Sequence, residues 1–252
     1  MLTDPLFYLA GVPAVLLLGI SKGGFGGGLG GFSLPLLLLV MPPMQAAAIM
    51  LPLLCLADFT GLKAYFGKWD WSNLRIILPG AVIGTALGWW TFDVFESAHI
   101  LLLIGVISVG YACLNIRRRA AGANRALSKN WLKGGFWSTL SGFTSFVSHA
   151  GGPPLQIYLL PQRLNKETYI ATTNIFFLLI NLMKLPPYYW LGQFSPANLW
   201  LCLALAPWVP IGVYLGVYLQ RRVQTDVFYG LLQFFLLLTG LWLIYKGWQG
   251  LS

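Results

Sequence analysis

The chain alternates between long apolar runs and short polar connections. Six of the runs are roughly twenty residues long, at 45–66, 73–92, 98–116, 167–186, 196–219 and 227–246. An α-helix needs about 20 apolar residues to cross ~30 Å of hydrocarbon. The pattern therefore predicts six membrane-spanning helices.

Two further apolar regions, 6–41 and 134–160, are interrupted in the middle. A glycine-rich run at 21–31 divides the first, and a Ser-His-Ala-Gly-Gly-Pro-Pro run at 148–154 divides the second. Glycine and proline disfavour the helix interior. Each region is therefore predicted to be a broken helical hairpin that leaves the membrane on the side where it entered.

The two interruptions occupy corresponding positions in two halves of the chain. Shifts of 121 and then 128 residues align Phe25 with Phe146, Lys63 with Lys184, Pro79 with Pro207, and Gly84 with Gly212. The alignment predicts two repeats, 6–116 and 134–248, joined by a basic loop at 117–133. The expected fold is an all-α polytopic membrane protein with about 8–10 helical segments, each repeat being a broken hairpin followed by three spans.

Composition supports a membrane location, since 57% of the residues are hydrophobic and only 9% are charged. It argues against a soluble domain and against a nucleic-acid-binding protein. Three scattered cysteines, assigned to packing, indicate neither a disulfide framework nor a metal site. The amino terminus lacks the basic region of a signal peptide, so we expect it to be retained.

Charge predicts the orientation, because Lys and Arg accumulate in short cytoplasmic loops. Basic residues mark the connections at 68–75, 117–133, 163–166 and 221–222 as cytoplasmic. Three spans follow each hairpin, and three is odd, so the two repeats are predicted to be inverted. Both termini then lie outside, on the periplasmic face of a bacterial-type inner membrane.

Inverted repeats that each contain a broken helix are typical of secondary transporters, whose substrate binds between the breaks at mid-membrane. Backbone groups at a break are tolerated only where they line a polar cavity or are buried in protein. Helix ends with free N–H donors favour anions. We therefore expect the glycines of the breaks to line an anion site, although close helix packing would also explain them: Gly23, Gly24, Gly26, Gly27, Gly30, Gly31, Gly151 and Gly152.

Ionisable residues at membrane depth are candidate functional residues. Lys22 lies in the first break and is predicted to bind the anion, while His149, beside Ser148 in the second break, is predicted to bind substrate or to carry a proton. Asp58, Lys63 and Lys184 are candidates for coupling or gating, with a location near helix ends as the alternative for the two lysines.

Neutral polar residues add to the candidate site. Thr173 and Asn174 are followed by Asn181 seven residues later, which places the two asparagines on one helix face. They are candidates for hydrogen bonds to an oxyanion, and bonding between helices is the alternative.

Several motifs together resemble those of the TauE/SafE family of sulfite and organosulfonate exporters. They are Gly-Gly-Phe-Ser-Leu-Pro at 30–35, Ala-Asp-Phe-Thr-Gly-Leu-Lys-Ala-Tyr-Phe at 57–66, Gly-Gly-Pro-Pro-Leu-Gln at 151–156 and Ala-Thr-Thr-Asn at 171–174. The second break departs from the family pattern, with Val-Ser-His at 147–149 where further glycines are common. The resemblance implies a sulfur-containing anion, such as sulfite or sulfoacetate, and transport without ATP.

The residues alone lead only to a small anion, and other functions remain open. A channel, or a carrier of a non-sulfur carboxylate, would share the glycine breaks. A membrane-embedded enzyme would need a catalytic motif that the sequence lacks, and ATP-driven export would need a phosphate-binding loop, also missing. The sequence predicts no cofactor, a small anion and the lipid bilayer as partners, and leaves the direction, coupling and oligomeric state open, a homodimer included.

Overall fold

The computed structural model describes residues 4–28, 32–91, 97–120 and 126–251. These residues form α-helices and one 3-10 turn, with no β-strand among them, which confirms the predicted all-α class. The helices are α1 Pro5–Phe25, α2 Ser33–Leu38, α3 Pro43–Ala64, α4 Trp71–Trp90, α5 Ser97–Ala120, α6 Trp131–Ser148, α7 Gly152–Leu159, α8 Lys166–Trp190, α9 Pro196–Leu205, α10 Trp208–Arg222 and α11 Thr225–Gln249.

Six helical segments of the described chain are long and apolar enough to cross a membrane. Five lie where the sequence predicts spans, and the sixth is α1, which belongs to the first predicted hairpin. The predicted span at 73–92 forms the 20-residue helix α4, which is less apolar because it contains Asn73, Arg75 and Pro79. The segment 196–222 is divided into α9 and α10 next to Pro207.

Both predicted interruptions are present, but the first begins later than the sequence suggested. Helix α1 continues through Lys22 and ends at Phe25, where Gly26 adopts the left-handed conformation. The second break separates α6 from α7 after His149, which is also left-handed, with φ 53°. Of the first glycine run, residues 29–31 lie outside the described residues.

Close packing explains why α1 remains helical through part of the glycine run. A Cβ atom on Gly23 would collide with the backbone oxygen of Val213 in α10, and one on Gly24 would lie 2.7 Å from the backbone oxygen of Gly216. Small residues allow two membrane helices to approach this closely. The absence of side chains at Gly23 and Gly24 thus serves helix packing, the alternative that the sequence left open.

The chain divides into two compact units, Met1–Trp69 with Glu167–Val223, and Asp70–Lys166 with Gln224–Ser252. In the first unit α1 packs chiefly on α10 and α3, and α8 contributes buried contacts to α3. In the second unit α4 packs on α6 and α5 packs on α11, again through glycines such as Gly84 and Gly105.

The compact units do not coincide with the two halves of the chain. The first unit pairs α1 of the first half with α10 of the second, and the second unit pairs α6 of the second half with α4 of the first. Because the repeat alignment equates α1 with α6 and α4 with α10, equivalent helices pack in equivalent pairs. The inversion of the repeats and the sidedness of the loops stay predictions.

Candidate functional site

The end of α1 is shaped by two glycines with positive φ. Gly26 has φ 57° and Gly27 has φ 85°, and the backbone N–H groups of both donate to the carbonyl oxygen of Ser21. A Cβ on Gly26 would lie 2.6 Å from the hydroxyl oxygen of Thr173, so α8 packs directly on the turn. These two backbone N–H groups are therefore satisfied within the chain.

Lys22, in the last turn of α1, forms an ion pair inside the first unit. Its Nζ lies 2.6 Å from Oδ1 of Asp58 on α3, and both side chains are buried, at 4% and 0% exposure. The amide Nδ2 of Asn181 on α8 donates to the other carboxylate oxygen at 2.7 Å. Three helices that are distant in sequence therefore meet at one carboxylate.

A second lysine lies beside this ion pair. Lys184 is fully buried, three residues after Asn181 on α8, and lies within electrostatic range of Lys22, Asp58 and the thiol of Cys55. We refer to Lys22, Asp58, Asn181 and Lys184 as the lysine–aspartate cluster. With all three ionisable groups charged, the cluster has a net charge of +1.

An aromatic ring covers the Lys22 ammonium. Nζ lies 4.3 Å from the centre of the Phe177 ring, a distance at which the ring face attracts a cation. Lys22 also stabilises the end of α1, since a cation near a helix C-terminus interacts favourably with the helix dipole. The position of this lysine is thus set by its carboxylate partner, the ring and its place in the helix.

Asn174, on α8, has an unpaired side-chain amide. Its side chain is fully buried, and neither Nδ2 nor Oδ1 has a hydrogen-bond partner. Gly61 of α3 faces it, and a Cβ on that glycine would collide with the Asn174 amide. The structure therefore leaves room for the amide without satisfying it.

Tyr65, the residue that follows α3, supports the end of α1 and was missed by the sequence reasoning. Its hydroxyl is buried, donates to the Gly23 carbonyl oxygen at 2.7 Å and lies 3.5 Å from Oε1 of Gln220. Its position in the motif at 57–66 could have drawn attention to Tyr65, but the motif does not indicate which backbone group the hydroxyl contacts. Phe177 and Gly61 were missed for the same reason.

The second break belongs to the other compact unit. Hydroxyl groups on α6 satisfy its backbone, as Ser141 donates to the carbonyl oxygen of Gly151 at 2.6 Å and Thr144 to that of Ala150 at 3.2 Å. Ser148 donates to the Thr144 carbonyl oxygen at 3.3 Å, and His149 is half-buried. The prediction that the two breaks form one shared pocket stays a prediction.

The predicted site residues thus fall into distinct groups. The structure brings together Lys22, Asp58, Thr173, Asn181 and Lys184 with the turn at Gly26 and Gly27. Asn174 lies one residue after Thr173 on α8. Lys63 is exposed on α3, although the repeat alignment equates it with the buried Lys184. Ser148, His149, Gly151 and Gly152 lie in the other unit, and Gly30 and Gly31 lie outside the described residues.

Neither a cofactor site nor a metal site emerges from the described residues. No group of three or more His, Cys, Asp or Glu side chains in that part of the chain has the proximity needed to hold a metal ion. The polar groups of the lysine–aspartate cluster are ammonium, carboxylate and amide, which suit the binding of a small charged solute.

Comparison with known proteins identifies the family of this chain. The family model described as Sulfite exporter TauE/SafE matches residues 11–243, which include the whole lysine–aspartate cluster and both breaks. Among curated proteins and solved structures, no match was found.

Proposed function

The chain belongs to the sulfite exporter TauE/SafE family, and on that premise we propose that it is a secondary transporter that exports a small sulfur-containing anion across a bacterial-type inner membrane. The family consists of exporters of sulfite and related sulfur anions, and this member is a multi-pass helical membrane protein. We propose sulfite, sulfoacetate or a related organosulfonate as the substrate, moved by alternating access between the inverted repeats.

The observation that carries the proposal is the net charge of the buried cluster. Asp58 is the one carboxylate among the buried residues in the described part of the chain, whereas Lys22 and Lys184 supply two cations when both are protonated. An uncompensated charge is costly in a low-dielectric interior. A bound anion compensates the extra positive charge.

Binding requires the ion pair to adjust. Asp58 occupies the direct position on the Lys22 ammonium, so the anion has to share that ammonium or displace the carboxylate. Asn181 retains a hydrogen bond to the carboxylate when Lys22 moves. The Phe177 ring keeps an attractive surface beside the lysine during the exchange.

The membrane potential determines the direction of anion transport. A potential that is negative inside moves an anion outward with about 2.3 kcal/mol per charge per 100 mV. Net export of a monoanion therefore needs no second solute, and a proton moving with the anion through Asp58 would reduce this voltage dependence.

The first experiment measures ligand binding by the purified protein. Thermal shift is compared for sulfite, sulfate, thiosulfate, taurine, sulfoacetate and lactate, because at equal concentration a ligand that binds the folded state more tightly stabilises it more. We expect stabilisation by at least one of the sulfur anions. Stabilisation by lactate alone would favour a carboxylate carrier and contradict the proposed substrate class.

The second experiment measures efflux from proteoliposomes with a potential clamped by potassium and valinomycin. We expect Lys22→Gln to abolish efflux of the ligand identified by thermal shift. The matched control is Lys133→Gln, which removes one exposed lysine at the start of α6. Equal efflux by the two variants would show that the lysine–aspartate cluster does not take part in transport.

A further inference from the structure

The side-chain amide of Asn174 has no hydrogen-bond partner within its unit. The amide group offers a donor at Nδ2 and an acceptor at Oδ1, and both are buried without a partner. Exchanging the two atoms by rotating the amide does not change this, because both positions are unpaired. Buried polar atoms are nearly always hydrogen-bonded, and leaving one unpaired destabilises a protein.

The position of Asn174 connects it with the lysine–aspartate cluster. It lies two helical turns, about 10 Å of rise, before Asn181 on the same face of α8. Between the two asparagines lies Phe177, whose ring contacts the Lys22 ammonium. Thr173, next to Asn174, packs on the turn at Gly26 that follows Lys22.

The alternative of a purely structural asparagine fits these contacts poorly. Such a residue normally bonds to a neighbouring helix, as Asn181 does to Asp58. The α3 residue that faces Asn174 is Gly61, which has no side chain to pair with it. The glycine gives space to the amide and supplies no hydrogen bond.

We infer that Asn174 is a specificity-determining residue and that the transported anion carries a hydrogen-bond donor as well as its acceptor oxygens. The inference rests on the proposed function and narrows its substrate class. A sulfur oxyanion accepts from Nδ2 and from the Lys22 ammonium, while a hydroxyl hydrogen of the same molecule donates to Oδ1. Hydrogen sulfite and hydroxyalkylsulfonates share this chemistry, whereas simple alkylsulfonates lack the donor.

The test compares ligands that differ in the donor alone. Ethanesulfonate and 2-hydroxyethanesulfonate have the same charge and carbon skeleton, and hydrogen sulfite, at mildly acidic pH, carries its hydrogen on the sulfite group itself. Calorimetry at one pH measures the affinity of each for the wild-type protein. We expect at least one donor-bearing ligand to bind about tenfold more tightly than ethanesulfonate, the ratio that one satisfied hydrogen bond supports.

Asn174→Leu provides the decisive variant, because leucine has a similar shape and no polar atom. We expect it to lose the preference for the donor while its thermal stability is unchanged or higher, since two unpaired polar atoms have been removed. The matched control is Thr239→Val on α11, in the other unit. It removes a buried hydroxyl that, like the Asn174 amide, has no hydrogen-bond partner. It should keep the preference.

Each outcome separates the inference from the proposed function. If no donor-bearing ligand binds the wild type more tightly than ethanesulfonate, or if Asn174→Leu keeps the preference, water or the protein satisfies the amide and the inference is wrong, while anion transport stands. If no sulfur anion binds the wild type, the proposed function itself fails. A preference for 2-hydroxyethanesulfonate identifies a donor on the carbon chain, and a preference for hydrogen sulfite alone identifies one on the sulfur group.

Discussion

The buried ion pair permits a test that separates folding from transport. Lys22→Met removes the cation but keeps a flexible stem, and Asp58→Leu removes the carboxylate but keeps a similar shape. Each single variant leaves a buried charge without its main partner, whereas the double variant removes both charges. Stability and transport are then expected to respond in opposite ways.

The magnitudes follow from the remaining contacts. Breaking a buried ion pair by removing one partner costs about 3–5 kcal/mol. Lys22→Met leaves Asp58 with the Asn181 amide, so we expect a loss of about 3 kcal/mol in the free energy of unfolding. Asp58→Leu leaves the ammonium groups of Lys22 and Lys184 near each other without the carboxylate. The Phe177 ring, a contact worth up to about 2 kcal/mol when desolvated, offsets part of the repulsion, so the loss should be larger, about 4 kcal/mol.

The double variant should recover most of this stability. Replacing both members of a buried pair with apolar residues of similar volume is often neutral. The double-mutant cycle should therefore yield a coupling free energy of about 3 kcal/mol or more. The assay is reversible unfolding in mixed detergent micelles, and anion efflux is measured on the same three variants.

Efflux should stay lost in the double variant although its fold is restored, because the ammonium that binds the anion is still missing. Additive effects of the two single substitutions on stability would show that Lys22 and Asp58 do not interact as described. A stable double variant with normal efflux would show that the pair is purely structural.

Two other predictions concern the connection between α3 and α4 and the break after α1. Partial burial alone would raise the pKa of Asp70, but hydrogen bonds and the ion pair with Lys129 lower it to about 2. Asp70→Asn should therefore lower the free energy of unfolding by about 2 kcal/mol at neutral pH. Unfolding measurements should show this loss disappearing as pH falls from 3.8 to 2. Gly26→Ala combines left-handed backbone strain with a clash against Thr173 and should lower the free energy of unfolding by about 2–3 kcal/mol. The control Gly67→Ala, at φ 76° with open space around it, adds only backbone strain and should lower it by about 1 kcal/mol. Equal losses in the two variants would show that the contact with Thr173 does not contribute.

The sequence by itself determined the elements and the rare charges. Hydrophobic run length is a local property, so the helices and the existence of two breaks could be derived from composition and spacing. The cost of ionisable groups in lipid singled out Lys22, Asp58 and Lys184, and all three are buried in one unit.

Only the tertiary structure decided which of these groups meet. Lys22, Asp58 and Asn181 come from three helices, and the partner asparagine lies 123 residues from the carboxylate. No local pattern encodes such a contact, because it depends on how α8 packs between elements that are far apart in sequence. The same packing buries Lys184 while its repeat equivalent Lys63 is exposed, and it divides one glycine run between helix contact and a left-handed turn.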